Sequence, residues 1–112
     1  MITTYEEFKE AISKGVKVVV FTADWIPISK DLYEELVKMV ENLKIDVIEV
    51  DVAMAPKVME VEKIFAIPTV KLYVNGENLF TQEDTTGNVK VDATHVLRAV
   101  KEILKKRGIA YR

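Results

Sequence analysis

The 112 residues carry 49% hydrophobic and 30% charged side chains, enough apolar material for one compact domain over residues 1–112 and too short a chain for two. Sixteen Lys plus Arg against eighteen Asp plus Glu leave a formal charge of −2, so no global basic field draws the chain to nucleic acid or to an anionic membrane. With no cysteine and one histidine, His95, the sequence excludes disulfides, thiolate catalysis, Cys-ligated zinc and any multi-histidine metal centre.

Thr3 or Thr4 precedes Tyr5 to Ile12, where acids lead and apolar residues recur at helical spacing before Gly15, so the first element is a short amphipathic helix. Val18-Val19-Val20-Phe21 is β-branched, aromatic and uninterrupted, the pattern of a central strand buried on both faces. This longest apolar run falls far below the roughly 18 to 20 residues of a membrane helix. Met1 to Glu7 lacks the basic and apolar regions of a secretory leader, and the expected location is cytoplasmic. Trp25 to Ser29 leads directly into a helix over Lys30 to Leu43, in which Ile28, Leu32, Leu36, Met39, Val40 and Leu43 repeat at three and four residues.

Asp46 to Val52 predicts a second strand, and Pro56 at the first helical position opens a third helix over Lys57 to Phe65. Thr69 to Val74 alternates, Asn75-Gly76 supplies the residues a tight hairpin needs at positive φ, and Glu77 to Phe80 returns antiparallel. Gln82 to Asn88 reads as a polar loop. Asp92 is the expected N-cap of the last helix, whose inward stripe is Val96, Leu97, Val100, Ile103 and Leu104 and whose basic end, Lys105 to Arg107, is closed by Gly108. Strand, helix, strand, helix and then a hairpin describe an α/β domain with a mixed sheet.

Two segments narrow the fold. Phe21-Thr22-Ala23-Asp24-Trp25-Ile26-Pro27-Ile28-Ser29-Lys30 looks like Phe-x-Ala-acid-Trp-Cys-Gly-Pro-Cys-Lys, and Ala66-Ile67-Pro68-Thr69, followed by a strand and Asn75-Gly76, matches an Ile-Pro-Thr segment with its Asn-Gly hairpin. In this order and at this separation they resemble the thioredoxin family over Thr3 to Arg107. The resemblance implies a thioredoxin fold, a central mixed sheet of four to five strands with helices on both faces. It also implies a cis Pro68, at a strand start where a proline nitrogen removes no ladder hydrogen bond.

The departures carry the functional reading. In the family the attacking cysteine sits at the N-terminus of the second helix, where the dipole and free N–H groups stabilise a thiolate; here Ile26 stands there, and Ser29 takes the place of the resolving cysteine. The carboxylate that the family buries to help deprotonate the resolving thiol falls at Val20, and its lysine neighbour at Val47. A buried carboxylate with no thiol to serve costs several kcal/mol of desolvation or a raised pKa, so valine is the residue that loss of the chemistry predicts. No catalytic residue, cofactor or metal is expected, and disulfide oxidoreductase activity is expected to be absent.

The degenerate motif Trp25, Ile26, Pro27, Ile28 and Ser29 is placed by the resemblance beside Ala66, Ile67 and Pro68. In redox-active relatives this groove holds a substrate segment through the backbone of the residue before the cis-proline, a form of strand addition. Ile67 inherits that role, and Trp25, Ile26, Pro27, Ile67 and Pro68 form the candidate surface for a protein partner or for self-association. In the competing arrangement Trp25 and Ile28 turn into the core and only Ile26 and Pro27 meet water. An alternative function is a glutathione- or small-thiol-binding enzyme with Ser29 as hydrogen-bond donor, although no partner base or basic pocket accompanies it. A third is a structural subunit with its interface elsewhere.

The remaining candidates read as structural. His95 is a surface residue without a partner in sequence, and Asp24, Glu49 and Asp51 lack metal-ligand spacing. Met54 and Met59 fill space near the third helix, and Lys101, Lys105, Lys106 and Arg107 form a solvated face. Abundant Lys, Glu, Val and Ile without cysteine is a composition found in thermophilic proteins.

Overall fold

The apolar run around Val18 to Phe21 becomes the strand on which the sheet is assembled. In the computed structural model, which describes Met1–Arg112, β1 (Val16–Thr22) pairs in parallel with β2 (Asp46–Asp51) and antiparallel with β3 (Thr69–Val74). β3 pairs antiparallel with β4 (Glu77–Glu83), completing a four-stranded mixed sheet in the order β2-β1-β3-β4. Successive side chains of a strand point to opposite faces, so β1 supplies Val18 and Val20 to one core and Val19 and Phe21 to the other. The first core is closed by α2 (Pro27–Met39) and α4 (Val89–Lys106) through Leu32, Leu36, Val96, Val100 and Leu104. The second is closed by α1 (Tyr5–Ile12) and α3 (Pro56–Val61) through Phe8, Ile12 and Val58, with the Phe8 ring edge-on to Tyr73 at 5.6 Å.

Local chemistry sets the connections. At the start of α1 the Thr4 hydroxyl accepts the Glu7 N–H at 3.1 Å, and the Glu7 carboxylate accepts the Thr4 N–H at 3.1 Å, a reciprocal capping box. The hairpin between β3 and β4 turns on Asn75 at φ 48° and Gly76 at φ 86°, both in the left-handed region that a two-residue turn requires. The Asn75 side chain also accepts the Gly15 N–H at 2.8 Å, tying this turn to the connection between α1 and β1. On the α3 side the buried Tyr73 hydroxyl donates to the Glu62 carboxylate, and the Lys71 ammonium donates to the Glu62 carbonyl at 2.9 Å.

Several element ends differ from the sequence expectation. α2 begins at Pro27 and stops at Met39, not Leu43: the apolar spacing continues through Val40 and Leu43, which still pack on the core, but the chain turns there and the Lys44 N–H donates to the Tyr111 carbonyl at 2.7 Å. α3 ends at Val61 because Lys63 takes φ 56° and the Ile64 N–H folds back to the Met59 carbonyl at 3.0 Å, which leaves Phe65 outside the helix. β4 continues to Glu83. α4 is capped by Asn88, whose side chain accepts the Val91 N–H at 3.1 Å, and not by Asp92, which lies inside the first turn.

Leu72 is fully buried opposite Val18 in the core beneath α2 and α4. Leu72→Ala is expected to lower unfolding free energy by about 2–5 kcal/mol, read as an earlier urea midpoint with an unchanged slope.

Candidate functional site

The C-terminal ends of β1, β2 and β4 and the N-terminal end of β3 meet at one end of the sheet, where Thr22 pairs with Asp51, Phe21 with Thr69, and Thr69 with Glu83. Three loops leave that end: residues 23–26, 65–68 and 84–88. Between them they carry most of the residues singled out by sequence.

The first loop is held from inside by Ser29. This side chain is 0% exposed; its hydroxyl accepts the Ala23 N–H at 3.1 Å and donates to the Ile26 carbonyl at 2.6 Å, fixing the isolated bridge between Ala23 and Ile26. Ile26 is the N-cap residue of α2 and offers no side-chain acceptor, while Pro27 at the first helical position has no N–H to satisfy. Ile26 is half-buried against the core that α1 and α3 cover, Ile28 is half-buried, Pro27 is exposed, and Trp25 is 67% exposed. Neither arrangement weighed from sequence is the observed one: the tryptophan points outward and the isoleucine at the former nucleophile position points inward. Ser29 does not cap α2, and its hydroxyl is not presented to a small thiol, because it is buried with its proton on the Ile26 carbonyl.

In the second loop the Ile67–Pro68 peptide is cis. Pro68 is buried and its carbonyl accepts the Asp84 N–H at 2.8 Å, so the second and third loops are joined; the Thr69 hydroxyl closes onto the Ala66 carbonyl at 2.5 Å. Ile67 is half-buried against the same core as Ile26. Its own N–H and C=O have no partner within the chain, nor do the N–H groups of Phe65 and Ala66. Phe65 is 85% exposed. Sequence reading missed it: Val58, Val61 and Phe65 continue a helical stripe at three and four residues, and only the left-handed residue Lys63 ends the helix first.

The third loop is fastened by Asp92, buried at 1% exposure in the first turn of α4. Its carboxylate accepts the Thr85 hydroxyl, the Thr86 N–H at 3.0 Å and the Thr86 hydroxyl at 2.7 Å. Burial alone would push this carboxyl up, but the three donors, with His95 nearby, hold it below the usual carboxylate range.

Sequence spacing joined none of Asp24, Glu49 and Asp51, yet the fold gathers them around one cation. The Lys30 ammonium lies 2.6 Å from Glu49, 3.0 Å from Asp51 and 3.2 Å from Asp24, and the Thr22 hydroxyl donates to Glu49 at 2.7 Å. Partial burial favours neutral lysine, but the carboxylates outweigh it and raise the Lys30 pKa above the ordinary lysine range; burial likewise works against the Asp51 carboxylate, which Lys30 and the Ala53 N–H hold below its ordinary value. The three carboxylates thus share one ammonium group. Val20 and Val47 both pack in the core beneath α2 and α4, Val20 fully buried, so the interior below the first loop contains no ionisable pair at those positions.

The family model described as Thioredoxin matches residues 1–101. Among curated proteins, Thioredoxin 1 of Plasmodium falciparum (isolate 3D7) is 36% identical over 85 residues, which is 72% of this chain and 80% of that protein. Among solved structures, a thioredoxin from Plasmodium falciparum superposes with a TM-score of 0.69 at 31% identity, over 94% of this chain and 95% of that one. Mitochondrial thioredoxin 3 of Saccharomyces cerevisiae, at 21% identity, shares the fold with a TM-score of 0.74 over 90% of this chain and 92% of its own.

Two measurements check the fastening of the loops. Ser29→Ala leaves the buried Ala23 N–H without its acceptor and is expected to cost about 1–3 kcal/mol in denaturant unfolding. Asp92 stabilises the fold as a carboxylate, so its contribution is complete above its unfolded pKa of about 3.9 and is lost as pH falls through the lower folded value. Asp92→Asn should therefore unfold at lower denaturant than the parent at pH 7, with the gap narrowing steadily once the solution is acidified past that unfolded pKa.

Proposed function

The chain belongs to the thioredoxin family, and we propose that it is a redox-inactive member, a protein-binding module that holds an extended segment of a partner in the groove between the Trp25 loop and Ile67-Pro68. Thiol–disulfide exchange begins with a thiolate, and a chain without cysteine has none to supply. The positions that would serve such a thiol are apolar: Val20 and Val47 fill core, and Ile26 packs inward.

The observation that carries the reading is the unpaired main chain of Ile67 at the end of the sheet that also bears two outward aromatic side chains, Trp25 and Phe65. An N–H and a C=O presented side by side accept one residue of an incoming strand, and aromatic rings beside them supply the apolar area from which strand addition draws affinity. Neither ring helps this fold while it faces water. Hydrogen bonds fasten the surrounding frame, Ser29 holding one loop and the Pro68 carbonyl joined to Asp84 in the next, which limits the ordering that would oppose binding. The proposal places the module in the cytoplasm, where a cysteine-free chain needs no oxidising compartment to fold.

Affinity capture from an extract of the source organism, with the parent chain and Trp25→Ala/Phe65→Ser as parallel baits, tests this. Both residues are exposed, so folding should survive; substitution at Ile26 would disturb core packing as well. A protein retained by the parent and lost from the double variant is the expected result, whereas identical retention by both baits would place the working surface elsewhere.

A further inference from the structure

The sheet end that bears the proposed groove is acidic. Asp24, its side chain 85% exposed, stands next to Trp25 and shares Lys30 with Glu49 and Asp51, so that one ammonium faces three carboxylates. On the opposite side Glu83 and Asp84 follow the β4 segment paired with Thr69, both exposed and neither in an ion pair; the Asp84 N–H is the group bonded to the Pro68 carbonyl. Asp92 lies behind them. The lysines of this region do not offset the acids: Lys30 is already committed, Lys57 pairs with Glu60, and Lys63 stands alone on the turn before Phe65. On the rim itself, Asp24, Glu49, Asp51, Glu83 and Asp84 against Lys30 and Lys63 leave a local formal charge of −3, on a chain whose total is −2.

Resting on the reading of this groove as a protein-binding surface, we propose that its occupant is an extended basic–apolar segment: a large apolar side chain seated by Trp25 and Ile67, with Lys or Arg within two residues of it, facing Asp24 on one side and Glu83 or Asp84 on the other. The exposed rings and the free main chain of Ile67 define where a strand lies, and the charges on both walls select which strand. An acidic or phosphorylated segment would bring like charges into a partly desolvated groove, which specificity by charge disfavours strongly. A basic one is steered toward it, most effectively at low ionic strength. The chain's own basic–apolar stretches do not serve as occupant: Leu104 to Arg107 lies at the end of α4, and the tail around Ile109 and Tyr111 packs on the core and bonds to Lys44.

A phage-displayed random dodecapeptide library, selected on the immobilised full chain, provides the probe, followed by titration of the enriched peptides in synthetic form. Support is enrichment of Lys or Arg within two positions of Leu, Ile or an aromatic residue, with binding weakened about tenfold or more by Asp24→Lys/Glu83→Lys and by raising salt from about 50 to about 500 mM. Enriched apolar peptides without basic residues, sensitive to Trp25→Ala/Phe65→Ser but not to charge reversal, overturn the basic preference and leave the groove as the binding surface. No enrichment, or a dimer in size-exclusion chromatography that dissociates on Trp25→Ala/Phe65→Ser, overturns this inference; the dimer would make a second copy of the chain the occupant.

Discussion

Burial of β1 on both faces is the constraint from which the rest of the molecule follows. A strand that sends Val18 and Val20 one way and Val19 and Phe21 the other can lie only at the centre of the sheet with helices above and below. It must also be hydrogen-bonded along both edges, which β2 and β3 accomplish. The position of its last residues is therefore set by two cores and two ladders at once. Everything at the candidate site hangs from that end: the bridge at Ala23, the Ile67-Pro68 segment across from Thr22, and the acids of β2 and β4 on either side.

Against this frame the absence of any thiol has a physical logic. The position that would carry a resolving thiol holds a serine, small enough for the same buried site and able both to accept from Ala23 and to donate to Ile26. The Ser29 hydroxyl thereby fastens the loop from inside, partnered both as acceptor and as donor. Beneath it, the positions that the family resemblance assigns to a buried carboxylate and its lysine neighbour hold Val20 and Val47, which contribute packing where an ionisable pair would carry a desolvation cost. The polar groups of the region lie at the rim, where Lys30 holds three carboxylates at the boundary with solvent. The proposed binding role uses the unpaired main chain before Pro68 and the outward side chains beside it.

Much of this was legible in the residues. The capping box at Thr4 and Glu7, the Asn75-Gly76 turn and the run at Val18 to Phe21 each encode their structure locally, through side-chain hydrogen bonds, backbone conformational preference and burial pattern. The two overextended helix ends share one cause. At Val40 and Leu43, and again at Phe65, apolar spacing persists beyond the last helical residue, because a turn can present an apolar side chain to a core, or away from it, at the same sequence interval. Asp92 is a related case: an acid near a helix start reads as a cap, but Asn88 reaches the free N–H first and Asp92 is drawn inward to satisfy three donors of the preceding loop.

The sequence by itself determined the order and type of the elements, the family resemblance carried by two short segments, and the absence of any thiol, since these depend on residue identity and on interactions between near neighbours in the chain. Only the tertiary structure decided which way Trp25, Ile26 and Phe65 face, that Ser29 is closed to ligands, and that Asp24, Glu49 and Asp51 converge on Lys30. Those outcomes are fixed by contacts between residues that are distant in sequence and brought together by strand pairing, and no local pattern of side chains records them.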